Sequence, residues 1–264
     1  MIHPEQLKAF FPPYVGANPA LQKYILKEYL QMLMLDYLVS SEFVNRLVFI
    51  GGTNLRLAKG IDRFSEDLDF DCKGLSEHDF DRMTDGVTQF LLRNGYHVEN
   101  RDQTWPKLCA FRRNMYFPGL LYELGLSPHR EERFLIKIEA EDQGMDYSPT
   151  MTYVKSCGMF FAIPSPSDPV LCSMKISALI SRQKGRDFYD TMFLLAQTQP
   201  DYSFLGARHG IHNAKELKEA LLAICDKTDL RRKARDFEHL CFRQQNNKRI
   251  LQFREFVLTL SRDG

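Results

Sequence analysis

Apolar residues recur along the first part of the chain with two different spacings. Residues 20–38 carry apolar side chains at helical spacing, which predicts a helix with a wide buried face. Residues 134–141 instead alternate apolar and polar side chains, the pattern of a half-buried strand. Strands are predicted at residues 48–50, 67–71, 96–99, 108–116 and 134–141, and helices at residues 20–38, 40–47, 53–60 and 78–94.

A proline-rich segment marks a change in this pattern. Residues 163–169 read IPSPSDP, and three prolines in seven residues predict a linker or a rigid turn. Beyond it the spacing is helical, and Asp168 and Pro169 suit the cap and the first position of a helix. We therefore predict an α+β protein, with a mixed sheet backed by helices in residues 1–162 and an all-helical domain in residues 163–264.

A pair of glycines follows the first predicted strand. Gly51 and Gly52 come directly after residues 48–50, and glycines let the backbone turn sharply and approach a ligand because they have no Cβ. Thr53 stands where a helix would begin, so its hydroxyl is a candidate helix cap or phosphate contact, and Gly60 is placed to end that helix. Free N–H groups and the helix dipole favour an anion at such a start, so the turn is a predicted phosphate site.

The next predicted strand carries alternating acidic residues. Asp67, Asp69 and Asp71 would share one face of the strand, while Leu68 and Phe70 would share the other. Acidic residues are depleted in strands, and like charges on one face repel unless a cation neutralises them. Carboxylates beside a phosphate site can hold Mg²⁺ against the phosphates of a nucleotide. The alternative is a solvated strand end that tolerates the charges.

The glycine turn and the acidic strand together resemble a known family. A Gly-Gly or Gly-Ser turn followed by an acidic pair is similar to the hallmark of the polymerase-beta-like nucleotidyltransferase superfamily. The segments GGTNLRL and RFSEDLDFD at this spacing resemble the AbiEii-type toxins of type IV toxin–antitoxin and abortive-infection systems. The resemblance implies a nucleotidyltransferase fold for the N-terminal domain. It also implies a toxin whose acceptor is RNA, expected at the 3′ end of tRNA, and which a cognate antitoxin neutralises.

The strand at residues 134–141 is expected to lie beside the acid pair and to supply a third carboxylate. Glu139 is the first candidate, and Glu141 is the second. Lys137 would point the same way as Glu139, so it is a candidate to contact phosphate or to neutralise the acidic cluster. The alternative is that these side chains only line a hydrated face of the sheet.

A second group of charged residues lies in the predicted helical domain. Lys175 and Arg182 are seven residues apart and would share one face of a helix, and Asp187 and Asp190 follow on the next helix. A Lys-x-x-Ala-Leu helix followed by an Arg-Asp-x-Tyr-Asp helix also resembles the AbiEii-type family. In the functional interpretation Lys175 and Arg182 bind nucleotide phosphates, and Asp187 orients Lys175 or the acceptor. The alternative is a structural ion-pair network at the junction of the two helices.

Composition and charge exclude several classes of protein. The chain has 44% hydrophobic and 26% charged residues, as in ordinary globular proteins, and 35 basic against 34 acidic residues, so a polyanion site would have to be a local patch. The cluster Arg231, Arg232, Lys233 and Arg235 is such a candidate for RNA, with a solvated helix face as the alternative. The six cysteines form no CxxC pair, which argues against a zinc ribbon. Without a signal peptide or membrane span in the pattern, we expect a cytoplasmic protein.

These observations predict a Mg²⁺-dependent nucleotidyltransferase. Asp67 and Asp69 would bind two Mg²⁺ ions, with Glu139 completing the metal site and acting as base. The Gly51-Gly52-Thr53 turn would hold the NTP phosphates, and Arg63 and Ser65 would contact them from the loop before the acids. Open alternatives are transfer to a protein or to a small molecule such as an antibiotic, a non-catalytic nucleotide-binding module, and a structural partner that keeps the fold.

Overall fold

Two units make up the chain in the computed structural model, which describes residues 2–101 and 110–260. The first unit comprises Met1–Ser165 and the second Pro166–Gly264. The division falls inside the proline-rich segment, three residues beyond the predicted boundary, because a strand continues through Ser165. Leu108 and Cys109 of the predicted fourth strand, and residues 261–264 of the predicted helical domain, lie outside the described residues.

The strands belong to the first unit. They are β1 (Leu47–Ile50), β2 (Asp67–Cys72), β3 (Glu99–Asn100), β4 (Phe111–Tyr116), β5 (Leu135–Glu141), β6 (Thr150–Ser156) and β7 (Met159–Ser165). The helices of this unit are α1 (Pro4–Lys8), α2 (Pro13–Gly16), α3 (Gln22–Val39), α4 (Gly51–Leu57), α5 (Glu77–Arg93) and α6 (Leu120–Glu123). This combination of a sheet with helices confirms the predicted α+β class.

A mixed sheet forms the centre of the unit. Its described strands lie in the order β1-β2-β5-β4-β3, with β2 and β5 parallel and the other neighbouring strands antiparallel. The register places Ile50 of β1 and Glu139 of β5 on either side of Asp69. The acidic strand is therefore flanked on one side by the strand that precedes the glycine turn and on the other by the strand with the candidate third carboxylate.

Helix α3 is one of the buried elements of this unit. Leu26, Leu30 and Leu35 on α3 are fully buried, and the helix contacts β7 and α5. Its wide apolar face explains this position, as the sequence predicted. The predicted helix over residues 40–47 is wrong, because only a 3₁₀ turn forms there, at Val44–Arg46.

Strands β6 and β7 form a β-hairpin that was not among the predicted elements. Cys157 and Gly158 form its two-residue turn with φ angles of 51° and 80°, since Ser156 pairs with Met159. Positive φ at both central residues is typical of a type I′ turn, but Cys-Gly is not among the usual sequence signatures. Pro164 pairs with Met151 within the hairpin, so the prolines that predicted a linker from residue 163 partly belong to a strand.

The elements of the described part of the second unit are helices. They are α7 (Asp168–Arg182), α8 (Gly185–Leu195), α9 (Tyr202–His209), α10 (Ala214–Asp226), α11 (Leu230–Asp236) and α12 (Phe253–Thr259), with 3₁₀ segments at Glu238–Leu240 and Gln244–Gln252. Phe188 and Phe253 are fully buried with their ring centroids 5.0 Å apart. Throughout the described residues, no helix is long and apolar enough to cross a membrane.

Candidate active site

The glycine turn joins β1 directly to α4. The helix begins at Gly51, two residues before the predicted start, and Gly51 has a φ of 80°. A Cβ on Gly51 would lie 2.7 Å from the Cβ of Asp69, and a Cβ on Gly52 would lie 2.7 Å from Ser65 Oγ and 3.1 Å from Arg63 Nη2. Glycine is required at both positions because these side chains pack directly against the turn.

The Thr53 hydroxyl supports the turn from below. Thr53 is fully buried, and its Oγ1 donates a hydrogen bond to the carbonyl oxygen of Asp67. This bond ties α4 to the first residue of β2. The prediction that the hydroxyl caps the helix is therefore wrong, because the hydroxyl is bonded to the carbonyl oxygen of Asp67 instead. A contact of Thr53 with phosphate stays a prediction.

Arg63 and Ser65 lie beneath the turn rather than in an open loop. Arg63 is fully buried, and its Nη1 donates to the carbonyl oxygen of Phe64 at 2.9 Å. Ser65 is also buried, and its carbonyl accepts from Gln31 Nε2 of α3 at 3.3 Å. The guanidinium places a positive charge against Gly52, which favours an anion at the turn without direct contact.

The three acidic residues of β2 differ in their surroundings. Asp67 and Asp69 are partly exposed, whereas Asp71 has only 1% of its surface exposed. Asp71 accepts hydrogen bonds from the backbone N–H of Gln143 at 2.9 Å and from the Tyr147 hydroxyl. Burial, together with the hydrogen bond to Asp71, raises the pKa of Tyr147. Asp71 therefore anchors the segment after β5, and the acid pair of the site is Asp67 with Asp69.

Replacing Tyr147 with Phe tests this structural role. The change leaves Oδ2 of a buried carboxylate without its hydroxyl donor, so we expect the free energy of unfolding to fall by about 1–3 kcal/mol. Urea denaturation monitored by circular dichroism measures it. Tyr153→Phe, at a 68% exposed tyrosine, is the matched control and should change stability little. Equal stability of the two variants would contradict the anchoring role.

Charged residues from β5 and β4 surround the acid pair. Lys137 Nζ lies 3.2 Å from Asp67 Oδ2 and 3.3 Å from Glu139 Oε2, so it bridges the two carboxylates. Arg112 of β4 contacts the other oxygen of Glu139. Lys137 thus neutralises the acidic cluster, one of the two roles predicted for it. The alternative third carboxylate, Glu141, is exposed and lies opposite Asp71.

Two carboxylates, those of Asp67 and Asp69, are suited to bind Mg²⁺, but they are not a complete set of metal ligands. Asp67 and Asp69 offer hard oxygen donors beside the glycine turn, and Mg²⁺ is usually held by one or two carboxylates together with substrate phosphates and water. In residues 2–101 and 110–260, no three His, Cys, Asp or Glu side chains are grouped so that they could hold a metal ion. The predicted three-carboxylate site is therefore not assembled, because Lys137 and Arg112 hold Glu139 in ion pairs.

In the second unit the predicted charged residues form one buried ion pair and one that is partly exposed. Lys175 Nζ binds Asp190 Oδ2 at 2.9 Å, and these side chains are 7% and 0% exposed. Arg182 makes a two-pronged contact with Asp187 at 2.8 and 3.0 Å, and Asp187 also accepts from the backbone N–H of Lys184. The prediction that Asp187 orients Lys175 is wrong, because Asp190 is its partner and Asp187 caps the start of α8.

Two contributors to these clusters were missed or undervalued in the sequence. Arg112 lies on a strand that pairs with β5, opposite Glu139, and nothing in its local sequence indicates that contact. Asp190 had two signals in the sequence. One is the family-like Arg-Asp-x-Tyr-Asp pattern, and the other is chemical, because an acid within an apolar helix requires a cationic partner when it is buried.

The comparisons with known proteins agree with this architecture. The family described as nucleotidyl transferase AbiEii toxin, type IV TA system, matches residues 33–257 of the chain. Among solved structures, the chain resembles MenT4, a nucleotidyltransferase toxin from Mycobacterium tuberculosis H37Rv, with a TM-score of 0.59, 16% identity, and coverage of 100% of this chain and 92% of that one. It also resembles JHP933 from Helicobacter pylori, with a TM-score of 0.54, 17% identity, and coverage of 89% and 90%.

At these identities the two structures show a shared fold, whereas the family match spans most of the sequence. No curated protein matches the chain. The family match covers the glycine turn, the acid pair and both ion pairs of the second unit. The chain therefore belongs to the AbiEii family of nucleotidyltransferase toxins of type IV toxin–antitoxin systems, and it is a nucleotidyltransferase.

Proposed function

We propose that this toxin transfers a nucleoside monophosphate from an NTP to a hydroxyl of RNA, with the 3′ end of tRNA as the acceptor. The observation that carries the proposal is the packing of Asp69 directly against Gly51, with Asp67 two residues earlier on the same strand. Backbone N–H groups at a helix start bind phosphate, and the adjacent carboxylates are suited to a divalent ion at those phosphates.

Asp67 and Asp69 are the proposed ligands of two Mg²⁺ ions. Bound Mg²⁺ would activate the attacking hydroxyl and stabilise the leaving pyrophosphate. The two carboxylates are held in place by their surroundings. The Thr53 hydroxyl donates a hydrogen bond to the carbonyl oxygen of Asp67, and the Asp69 side chain packs against the glycine turn. Arg63 adds fixed positive charge under the predicted phosphate position.

Glu139 remains the proposed third carboxylate, acting on the attacking hydroxyl as a base. Its register supports this role, because it lies directly opposite Asp69 in the parallel pair of β2 and β5. Its ion pairs with Lys137 and Arg112 hold the carboxylate in position beside the acid pair. When NTP binds, the Lys137 ammonium group is proposed to leave the carboxylates of Asp67 and Glu139 and to contact the NTP phosphates.

In the second unit, Lys175 and Arg182 are the proposed phosphate-binding residues. Asp190 would orient Lys175, since its carboxylate binds the ammonium group at 2.9 Å. Asp187 would hold Arg182 and the start of α8 together, because both of its oxygens accept hydrogen bonds there. The family also implies an NTP substrate and an antitoxin partner.

Gly52→Ala tests the glycine turn as a phosphate site. The added methyl would lie 2.7 Å from Ser65 Oγ and 3.1 Å from Arg63 Nη2, so the turn must shift. We expect NTP affinity to fall about tenfold or more, which corresponds to the loss of one charge-assisted hydrogen bond, while affinity for the nucleoside changes little. Isothermal titration with the NTP and the matching nucleoside measures the ratio of the two affinities.

A glycine with similar crowding provides the control for this variant. A Cβ on Gly206 of α9 would lie 2.6 Å from His212 Nδ1, so Gly206→Ala also strains the fold, at a site in the second unit. Its ratio of NTP to nucleoside affinity should equal that of the unmodified protein. If Gly52→Ala leaves the ratio equally unchanged, the turn has only a structural role.

Transfer itself is tested with each labelled NTP in turn. The protein is incubated with Mg²⁺ and either purified tRNA, a cellular protein extract or a panel of aminoglycosides. We expect the label to appear in tRNA and to be lost after removal of its 3′-terminal nucleotide. Label in the protein or antibiotic fraction alone would contradict the RNA proposal while leaving the nucleotidyltransferase assignment intact.

A further inference from the structure

The two units of the chain carry opposite charge. Residues 166–264 hold 17 of the 35 Lys and Arg residues but only 12 of the 34 Asp and Glu residues. Residues 1–165 hold the remaining 18 basic and 22 acidic residues. The near-neutral net charge of +1 therefore conceals a positive second unit, and charge asymmetry of this kind points to a polyanionic ligand.

Five of these cations lie on α11 and on the 3₁₀ segment that packs against it, and we call this group the basic face. Its members are Arg231, Arg232, Lys233 and Arg235 of α11 and Lys248 of the following 3₁₀ segment. Lys233 is partly exposed and the other four are exposed. Across the residues that the structure describes, none of the five side chains has an ion pair or hydrogen bond. Several cations elsewhere are paired, as Arg113 is with Asp81 and Asp85.

Helix α11 presents these cations on a rigid support. Asn247, which precedes Lys248, donates a buried hydrogen bond to the carbonyl of Ala234 at 3.0 Å. On the other side α8 begins against α11, since a Cβ on Gly185 would lie 2.8 Å from both the carbonyl carbon of Lys233 and Phe237 Cδ1. The basic face is therefore fixed in place, so little conformational entropy is lost in its backbone when a ligand binds.

The nearby acids of the described chain form no ion pair with the basic face. Asp236 at the end of α11 and Glu238 after it are unpaired with these cations in the part of the chain that the structure describes. Asp229 caps α11, and its Oδ1 accepts the backbone N–H groups of Arg231 at 3.0 Å and Arg232 at 3.1 Å. Its carboxylate is thus directed at the helix start instead of at the arginine side chains.

Protein interfaces are centred on aromatic and apolar side chains. Of the large exposed apolar residues of the described chain, none falls on α11, and only Leu251 falls on the 3₁₀ segment that carries Lys248. This composition favours a phosphate backbone over a protein partner.

The basic face also adjoins one of the ion pairs described above. Thr228 Oγ1, just before α11, lies 3.3 Å from Gln183 Oε1, and Gln183 follows Arg182 at the end of α7. A chain of phosphates bound along α11 would therefore lead to the corner that holds Arg182 and Asp187. We propose that the basic face binds the phosphodiester backbone of the RNA acceptor, an inference that rests on RNA being the acceptor.

The test is a triple substitution, Arg231→Ala/Arg232→Ala/Arg235→Ala, measured by fluorescence anisotropy with labelled tRNA at several salt concentrations. Asp69→Asn is present in every sample, so that binding is measured without transfer. We expect affinity to fall tenfold to a hundredfold, and the slope of log affinity against log salt to decrease by about 2–3, because each phosphate contact contributes about 0.7–0.9.

A second triple variant removes the same charge elsewhere. Arg93, Lys155 and Lys215 are exposed cations outside the basic face, and changing all three to Ala should leave both affinity and slope nearly unchanged. Thermal melting of both triple variants checks the fold, and surface changes of this kind usually alter stability by less than about 0.5 kcal/mol each. In the active background, we expect the basic-face variant to raise KM for tRNA with kcat preserved.

Three outcomes would overturn the proposal. Unchanged tRNA affinity and salt slope in the basic-face variant would place RNA elsewhere, and continued labelling of tRNA would show that the acceptor proposal still holds. Loss of binding to a polyglutamate probe, with tRNA binding intact, would make the basic face a protein-docking surface. An unmodified protein that neither binds nor labels tRNA would overturn both this inference and the RNA acceptor.

Discussion

We expect the Asp69→Asn variant to lose nucleotidyl transfer and to keep its fold. The amide keeps the shape that packs against Gly51 but removes the charge proposed to hold Mg²⁺. Metal stabilisation of transition-state charge is worth several kcal/mol, so the loss corresponds to a thousandfold or more in rate. Initial rates with labelled NTP and tRNA, at saturating Mg²⁺, measure it.

A neighbouring acid supplies the matched control for Asp69→Asn. Glu141→Gln makes the same carboxylate-to-amide change at an exposed position on β5, opposite Asp71, and should retain full activity. Thermal melting with NTP, with and without Mg²⁺, gives a second readout, because a ligand that binds the folded state raises its stability. The Mg²⁺-dependent part of that stabilisation should disappear only in Asp69→Asn. A fully active Asp69→Asn protein would exclude the metal role.

Lys175→Met produces the largest expected change in stability. It leaves the Asp190 carboxylate buried without the ammonium at 2.9 Å, and breaking a buried pair in this way costs about 3–5 kcal/mol of unfolding free energy. Adding Asp190→Asn removes the buried negative charge, so the double variant should recover much of that loss. Urea denaturation of the original protein, both single variants and the double variant measures the recovery.

The same variants separate stability from function at Lys175. If Lys175 binds NTP phosphate, transfer per folded molecule should fall about ten- to a hundredfold in Lys175→Met, since a charge-assisted hydrogen bond is worth roughly 1.5–3 kcal/mol. The double variant should recover stability without recovering transfer. A double variant that is both stable and fully active would restrict the Lys175–Asp190 pair to a structural role.

Local sequence was sufficient for much of the site. The alternation of Asp67, Leu68, Asp69 and Phe70 predicted β2, and the structure buries Leu68 and Phe70 while leaving the two acids partly exposed. The Gly51-Gly52 pair predicted a tight strand-to-helix turn, which is present. These features depend on the φ angles that glycine allows, on its lack of a Cβ and on the two-residue alternation of side chains along a strand. All three are determined by residues close together in the chain.

The β6–β7 hairpin shows where local sequence was insufficient. Its Cys157-Gly158 turn lacks a common signature, and its prolines argue for a linker when they are considered alone. The hairpin is stabilised by distant residues instead. Val154 and Ile163 are buried in the first unit, and β7 contacts both β1 and α3. Tertiary packing therefore overrode the local preference.

The sequence by itself determined the family, the α+β class, the glycine turn and the acid pair, because each of these is encoded by residue type and spacing within a short segment. Only the tertiary structure decided the partners of the charged residues. Lys137 bridges Asp67 and Glu139, Arg112 contacts Glu139, and Lys175 binds Asp190 rather than Asp187. The energy of an ion pair depends on separation and burial, and both are set by strand register and helix packing between residues distant in the chain.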